Sequence, residues 1–203
     1  MPKPANKPTI AVDIDDVIYP LVPSLIEFLD TRHKVRLSEH DFVEYDLRKV
    51  WAGGPVEAAE IFERYKKESS GVQIAPINGA KEALHALSEA YDVIVMTSRD
   101  ISTKGRTSSW ITHHFPEIFK DVHLLGNKQD SEAYREKAEV CKELGVYCLI
   151  DDNLRHVLET NAVGIKTILF GDYPWNQTDQ LPEGVTRVKD WQGVLEELNA
   201  AGR

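Results

Sequence analysis

The segment Ile10-Ala-Val-Asp-Ile-Asp-Asp-Val-Ile-Tyr19 decides how this chain folds. Its apolar start, from Thr9 to Val12, is typical of a buried strand, and the acids that follow lie where that strand opens into a loop. Two later apolar runs also end in polar residues, at Thr97-Ser-Arg-Asp100 and at Asp151-Asp-Asn153. We therefore expect three buried strands whose carboxyl ends carry acids and hydroxyls.

Apolar strands and helical segments alternate along most of the chain. Strands are expected at 9–12, 92–97, 122–125, 147–150 and 165–170, and helices near 80–90, 103–115, 132–144, 153–162 and 190–200. Such alternation indicates a parallel sheet with helices on both faces. The predicted fold class is therefore α/β, with a three-layer, Rossmann-like parallel sheet.

The stretch between the first two strands has a different pattern. Residues 22–33, 39–51 and 55–68 place apolar side chains at three- and four-residue spacing, with no strand pattern between them. This favours a small helical cap inserted after the first strand. We predict a catalytic core at 9–19 and 76–203, a cap at 20–75 and a flexible lead at 1–8.

Composition restricts the partners and the location of the protein. The chain has 203 residues, of which 42% are hydrophobic and 28% are charged, as in ordinary soluble globular domains. Its net charge is −9 without a basic stripe, so we expect no duplex nucleic acid as a partner. No apolar run approaches the roughly 20 residues that span a bilayer. Two cysteines, Cys141 and Cys148, suit a reducing compartment as buried apolar residues, and we predict a cytoplasmic location.

The acids at the strand ends predict a metal site. Ligands of parallel sheets bind beyond the carboxyl ends of the strands, so we expect Asp13, Asp15, Asp151 and Asp152 to converge there. Carboxylates brought together repel each other and raise each other's pKa unless a hard cation neutralises them. Mg²⁺ held by one or two carboxylates keeps coordination positions for phosphate oxygens. The pattern thus favours phosphoryl transfer on a small phosphorylated substrate.

Helix capping is the alternative explanation for each acid taken alone. Asp15, Ser98 and Asp152 each precede a predicted helix, where Asp and Ser accept hydrogen bonds from free backbone amides. A cap needs one acceptor, however, and this chain places several acids together at two strand ends. Surplus buried acids require a further reason, which capping does not supply.

Taken in order, these residues resemble the haloacid dehalogenase (HAD) superfamily: Asp13-x-Asp15-x-Val17 after a strand, Thr97, a lysine at a helix start, then Asp151-Asp152. Together with Ile74-Ala-Pro-Ile-Asn-Gly-Ala-Lys-Glu-Ala-Leu84, they resemble its 5′(3′)-deoxyribonucleotidase branch. The resemblance implies a phosphomonoester hydrolase with a HAD-like core. It also implies a 5′-nucleotidase that acts on (deoxy)nucleoside monophosphates.

The resemblance also implies catalytic roles. Asp13 would be the nucleophile that forms an aspartyl-phosphate, and Asp15 the general acid and base. Thr97 would bind the phosphoryl group, with Ser98 and Arg99 beside it as substrate-binding residues. Lys137, at the start of a predicted helix, fits the lysine that neutralises charge at the nucleophile. Lys128 is the competing candidate.

In this superfamily the metal is Mg²⁺. The ligands implied are the Asp13 carboxylate, the main-chain carbonyl of Asp15 and one acid of the last motif. We favour Asp152 as that ligand and Asp151 as its supporting neighbour. Two alternatives stay open: a HAD phosphatase for another small metabolite, and a HAD-fold binding module without catalysis.

Overall fold

The structure is a computed structural model that describes residues 7–44, 50, 54–68, 71–126 and 134–200. Six parallel strands of these residues form one sheet in the order β3-β2-β1-β4-β5-β6. The strands are β1 (Thr9–Val12), β2 (Asp92–Thr97), β3 (Phe119–Leu124), β4 (Val146–Asp151), β5 (Lys166–Phe170) and β6 (Val185–Val188). The α/β fold class predicted from the sequence is confirmed.

Helices connect the strands. Those described are α1 (Leu21–Phe28), α2 (Pro55–Glu68), α3 (Ala80–Ser88), α4 (Lys104–His114), α5 (Lys137–Glu143), α6 (Leu154–Ala162) and α7 (Trp191–Ala200). A π-helix (Leu29–His33) continues α1, and short 3₁₀ turns lie at Glu39–Asp41, Gly71–Gln73, Ile101–Thr103 and Pro174–Asn176. Within the described ranges, no helix combines the length and apolarity needed to cross a bilayer.

In the sheet, β2 and β3 lie on one side of β1, and β4, β5 and β6 lie on the other side. The order of the strands therefore switches direction between β1 and β4, and α/β sheets bind ligands at such a switch point. Val12 pairs in register with Val95 of β2 and with Ile150 of β4. The residues that follow these three strands therefore share one edge of the sheet.

Alternate residues of the central strands build the two layers of the core. One face carries Ile10 and Val12, which pack with Trp110 of α4 and Trp191 of α7 in a large buried cluster. The opposite face carries Ala11, which packs in a second cluster with the side chains of α5. Both faces are thus buried, which explains why these strands read as continuous apolar runs.

Between β1 and β2 the described residues are helical and build a hydrophobic cluster of their own. We call residues 21–73 the helical insertion, and its insertion cluster consists of Val22, Leu25, Phe28, Leu29, Phe42, Ile61 and Tyr65. A separate cluster supports the predicted division into core and cap, which stays a prediction. Tyr45 and Trp51, two further aromatic residues of this segment, and residues 1–6 of the lead lie outside the described residues.

Three predicted boundaries were wrong and one strand was missed. Where a helix was expected from residue 39, the structure has a 3₁₀ turn at Glu39–Asp41 and no helix at 42–44, while 45–49 and 51 lie outside the described residues. The Ser38 amide and hydroxyl both donate to the Asp41 carboxylate of this turn. Strand β3 begins at Phe119, earlier than expected, and α5 begins only at Lys137. Strand β6 was missed, since its sequence Val-Thr-Arg-Val is short and belongs to an edge.

Candidate active site

Three carboxylates meet at the end of β1 and β4. Asp13 follows β1, and its amide donates to the Ile150 carbonyl at 2.9 Å, which holds it beside β4. Asp13, Asp151 and Asp152 each offer an oxygen within 4.8 Å of the others, and all three are buried. We call these three residues the acid cluster. Parallel pairing of β1 with β4 brings them together, as the sequence predicted.

Lys137 brings a positive charge to the acid cluster. It is the first residue of α5, and its Nζ lies 2.9 Å from Asp13 Oδ1 and 2.7 Å from Asp151 Oδ2. Its side chain is only 2% exposed. Burial alone would lower the pKa of Lys137, but the charges of Asp13 and Asp151 outweigh it and raise that pKa. The lysine is therefore fully protonated between its two acids. Lys128, the competing candidate, lies outside the described residues.

One lysine does not balance three buried acids. Burial raises the pKa of Asp13 to about 6, against the opposing effect of Lys137. Burial and the charges of Asp151, Asp16 and Asp13 raise the pKa of Asp152 well above its usual range. The one described cation in contact with Asp13, Lys137, is shared with Asp151. Two buried acids with raised pKa values beside a shared lysine fit a hard divalent cation such as Mg²⁺.

The two acids of the last motif differ in their contacts. Both oxygens of Asp151 already meet donors: Oδ1 accepts from the Asn153 amide at 2.8 Å, and Oδ2 accepts from Lys137. His156 Nδ1 lies 3.4 Å from Oδ2 as well. Burial would raise the pKa of Asp151, but Lys137 and His156 outweigh it and keep the pKa low. These contacts suit a supporting residue, whereas the high pKa of Asp152 suits a metal ligand.

Asp15 points to a different partner, Arg99. The guanidinium donates from Nε to Asp15 Oδ2 at 3.0 Å and from Nη2 to Oδ1 at 2.6 Å. It also lies over the Tyr19 ring, 4.8 Å from the centroid. Burial by itself would lower the pKa of Arg99. The charge of Asp15 and its hydrogen bonds together outweigh that effect, so the pKa of Arg99 is raised. The predicted substrate-binding arginine is thus paired with the predicted general acid.

Thr97 and Ser98 complete the polar edge. Thr97 ends β2, is buried, and its hydroxyl accepts a hydrogen bond from the Arg99 amide at 3.3 Å. Ser98 is half-buried and lies between the two. The structure therefore gathers the predicted site residues at one edge of the sheet, with Asp15 and Arg99 held in a pair of their own.

Comparison with known proteins identifies the family. Residues 7–201 match the family model described as 5′ nucleotidase, deoxy (Pyrimidine), cytosolic type C protein. The chain belongs to the cytosolic type C 5′-nucleotidase family. The predicted membership of the HAD superfamily, in its 5′(3′)-deoxyribonucleotidase branch, is therefore confirmed, and the chain is a phosphomonoester hydrolase.

Named relatives of this nucleotidase agree with the family. The chain is 27% identical over 196 residues to a 5′(3′)-deoxyribonucleotidase of Bacillus subtilis, covering 95% of this chain and 99% of the relative. It is 24% identical over 186 residues to a nucleotidase of Clostridium acetobutylicum, covering 91% of this chain and 90% of that one. Both alignments span nearly the whole of each protein.

Solved structures of HAD-like hydrolases share the fold of this nucleotidase. A haloacid dehalogenase-like family hydrolase from Streptococcus pneumoniae superposes with a TM-score of 0.64 at 16% identity, covering 97% of this chain and 99% of that one. A HAD-hydrolase from Bacillus subtilis, solved bound to magnesium, has a TM-score of 0.64 at 14% identity, covering 96% and 100%. At these identities the likeness concerns the fold alone.

Sequence analysis missed three contacts with the last motif in this nucleotidase. Trp175, whose sequence context favours an anchoring aromatic in a turn over a loop at the edge of the site, donates from Nε1 to Asp152 Oδ2 at 2.7 Å. Asn176 is buried and donates from Nδ2 to the Asp152 carbonyl at 3.0 Å. His156 contacts Asp151 from α6. Trp175 and Asn176 follow β5, so the strand-end rule that found the acids applies to them too.

The sequence indicated no role for Asp16, and the structure gives it a role in the fold. It adopts a left-handed backbone with φ of 55°, which is uncommon for a residue other than glycine. Its Oδ1 accepts a hydrogen bond from the Val22 amide at 3.0 Å, in the first turn of α1. Asp16 therefore holds the start of α1, which is the first helix of the helical insertion, against the end of the β1 segment.

Proposed function

We propose that this nucleotidase is magnesium-dependent and hydrolyses nucleoside monophosphates through an aspartyl-phosphate on Asp13. One observation carries the proposal: Lys137 Nζ lies between Asp13 and Asp151 in a buried cluster that holds more acid than base. Such a cluster suits a covalent carboxylate nucleophile beside a cation and a phosphoryl group. A cytoplasmic location stays a prediction.

In the first step the Asp13 carboxylate attacks phosphorus. A carboxylate–phosphorus bond forms while the bond from phosphorus to the nucleoside oxygen breaks, and Asp15 gives that oxygen a proton. In the second step water attacks the same phosphorus, gives its proton to Asp15 and releases Asp13 with inorganic phosphate. Lys137 keeps the nucleophile ionised and offsets charge during both steps.

Other residues of the polar edge hold the phosphoryl group and the cation. The hydroxyls of Thr97 and Ser98 would donate to phosphoryl oxygens. Asp13, Asp152 and the main-chain carbonyl of Asp15 would hold Mg²⁺, with Asp151 as support. When bound, the ion would supply positive charge to the phosphoryl oxygens and orient them for in-line attack. Its ligands are all oxygens, which Mg²⁺ prefers.

Arg99 donates hydrogen bonds to both carboxylate oxygens of Asp15. Proton transfer between Asp15 and the leaving oxygen or the attacking water uses one of the same oxygens. The proposed acid and base role therefore requires the pair to loosen during the reaction.

A nucleoside monophosphate is the proposed substrate, in agreement with the family and the names of the relatives. A cavity of about 240 Å³ lies in the helical insertion, with Phe28 and Tyr65 in its wall. The Tyr65 hydroxyl meets the Tyr19 hydroxyl at 3.0 Å, which connects this cavity to the ring beneath Arg99. The wall of the cavity also carries Ile74 and the polar side chains of Ser24, Glu27, Thr31, Glu68 and Gln73. A planar base would therefore meet two rings and several hydrogen-bonding groups there.

A panel of phosphate esters in magnesium buffer tests the substrate. We expect nucleoside monophosphates to have a higher kcat/KM than sugar phosphates or a generic aryl phosphate. Equal values would contradict the nucleotidase specificity and leave a phosphatase for another small metabolite. Absence of hydrolysis for every ester would favour the binding module instead.

Asp13→Asn tests the covalent step. We expect kcat to fall by about 10⁴-fold or more, because an amide cannot serve as the nucleophile. Asp16→Asn is the matched control, since an amide oxygen can still accept the hydrogen bond from Val22. The control should stay within about tenfold of the parent. Full activity of D13N would contradict the aspartyl-phosphate mechanism.

A further inference from the structure

Trp175 touches two regions that the proposed mechanism treats separately. Its indole Nε1 donates to Asp152 Oδ2 at 2.7 Å, and its ring packs against the insertion cluster. One side chain thus connects a carboxylate of the catalytic edge to the apolar interior of the helical insertion.

A ring stack and several hydrogen bonds hold the loop that carries Trp175. Tyr173 stacks on Trp175 with centroids 4.5 Å apart and planes inclined by 8°, and its hydroxyl donates to the Asp16 carbonyl at 2.9 Å. Arg187 of β6 donates to the Gly171 carbonyl at 3.1 Å and to Asn176 Oδ1 at 2.7 Å. The indole is therefore presented to Asp152 by a braced segment, and it has little freedom to turn away.

Gly171 shows how closely this loop is packed. It has a φ of 83°, and a Cβ there would lie 2.1 Å from the Tyr173 ring. A side chain at this position would displace the stacked pair of rings. The chain thus uses a glycine where the loop must turn in order to bring Trp175 over the acid.

We propose that Trp175 is a positioning residue that orients Asp152 for Mg²⁺ and couples the affinity of that site to the packing of the helical insertion. This inference rests on the proposed magnesium site. A donor on one oxygen of a ligating carboxylate fixes its orientation, and loss of such supporting contacts weakens metal binding by about 10- to 100-fold. Because the same ring packs on the insertion cluster, a change in that cluster reaches Asp152 through the indole.

The test is Mg²⁺ binding to the full chain, measured by isothermal titration calorimetry without substrate. Trp175→Phe keeps an aromatic ring but removes the N–H donor, and we expect the Mg²⁺ dissociation constant to rise about tenfold or more. Tyr147→Phe is the control: it keeps a ring and removes one hydroxyl at the end of β4 away from Asp151, so its dissociation constant should stay within about twofold of the parent. Far-UV circular dichroism verifies that each variant is folded. W175F binding Mg²⁺ as tightly as the parent would overturn the inference.

A double-mutant cycle tests the coupling. Phe42 is buried in the insertion cluster and directly follows the 3₁₀ turn Glu39–Asp41, far from the strand ends in sequence. Phe42→Leu should weaken Mg²⁺ binding about threefold in the parent and leave it unchanged in the W175F background. An equal effect in both backgrounds, or none in the parent, would overturn the coupling.

The parent and Asp152→Asn separate this inference from the proposed function. D152N should bind Mg²⁺ more weakly than W175F. D152N loses the negative charge of the proposed ligand, whereas W175F loses only the N–H donor that orients this ligand. If the parent itself bound no Mg²⁺, the proposed metal site would fail and this inference with it. If the parent bound Mg²⁺ and W175F matched it, only the role of Trp175 would fail.

Discussion

The acid cluster and the Arg99–Asp15 pair lie at the same edge of the sheet but differ in their charge balance. Among the described residues, the cluster holds three buried carboxylates and one lysine, whereas the pair joins one carboxylate to one guanidinium. The pair is also partly exposed to solvent, with side chains 19% and 16% exposed. The cluster therefore needs another positive charge, and the pair does not.

The geometry follows the same division. Arg99 presents two nitrogens to the two oxygens of Asp15, a matched fork that satisfies both partners. In the cluster, Lys137 is a single ammonium that Asp13 and Asp151 share. Regions with unbalanced charge are where a cation and a phosphoryl group are expected to bind.

Removing the only cation of the described acid cluster should produce the largest change in stability. In Lys137→Met, the acids lose the charge that compensates them, and breaking a buried ion pair costs about 3–5 kcal/mol. We expect this loss in the free energy of urea unfolding measured in EDTA. Excess Mg²⁺ should recover part of it, because the ion supplies positive charge at the same place.

Lys142→Met is the matched control for that variant. Lys142 lies on the same helix, α5, but is exposed, so the change should alter stability by less than about 0.5 kcal/mol with or without Mg²⁺. Equal stability of the two variants in EDTA would contradict the charge imbalance that distinguishes the cluster.

The corresponding change in the balanced pair should be smaller and should not respond to metal. Arg99→Met leaves Asp15 without its fork, but Asp15 is partly exposed and can be hydrated. We expect a loss of about 1.5–3 kcal/mol in the free energy of urea unfolding, the range for hydrogen bonds to charged groups. The loss should be the same in EDTA and in Mg²⁺. Recovery of stability by Mg²⁺ to the extent seen for K137M would remove the distinction between the two regions.

The sequence predicted the acid cluster and Thr97 because these residues follow from local patterns. Asp13, Thr97 and Asp151 each end an apolar run, and parallel strands must bring such ends to one edge. Lys137 was predicted from the family resemblance, and the structure places it beside Asp13.

The remaining contacts depend on packing between distant segments. Nothing in the sequence indicates that Arg99 pairs with Asp15, since the two are 84 residues apart and the cluster offers other acids. Trp175 carries no chemical pattern of its own, and its hydrogen bond depends on how the loop after β5 turns. Strand β6 is short and mixes polar with apolar residues, so its pairing with β5 supplies what its sequence does not indicate.

The smallest expected difference between the acid cluster and the Arg99–Asp15 pair concerns pH. The stabilisation of the folded protein by Mg²⁺ should depend on pH through the acid cluster. Burial raises the pKa of Asp13 to about 6 from an ordinary 3.8, so the folded, metal-free protein keeps this proton at pH 5 while the unfolded chain has lost it. This contribution to stability is full below pH 3.8 and is lost as pH rises through 6. Mg²⁺ requires the ionised carboxylate and therefore acts in the opposite direction.

We thus expect the increase in Tm caused by Mg²⁺ to be larger at pH 7.5 than at pH 5.5. With a pKa of about 6, protonation of Asp13 at pH 5.5 should weaken Mg²⁺ binding about fourfold, or about 1 kcal/mol. Scanning calorimetry with EDTA or Mg²⁺ at both pH values measures the difference. R99M should retain this pH dependence, because Arg99 belongs to the balanced pair. D13N should reduce it to the part that comes from Asp152, whose pKa is also raised. An equal gain in Tm at the two pH values in the parent would show that Asp13 is not the group at which Mg²⁺ and protons compete.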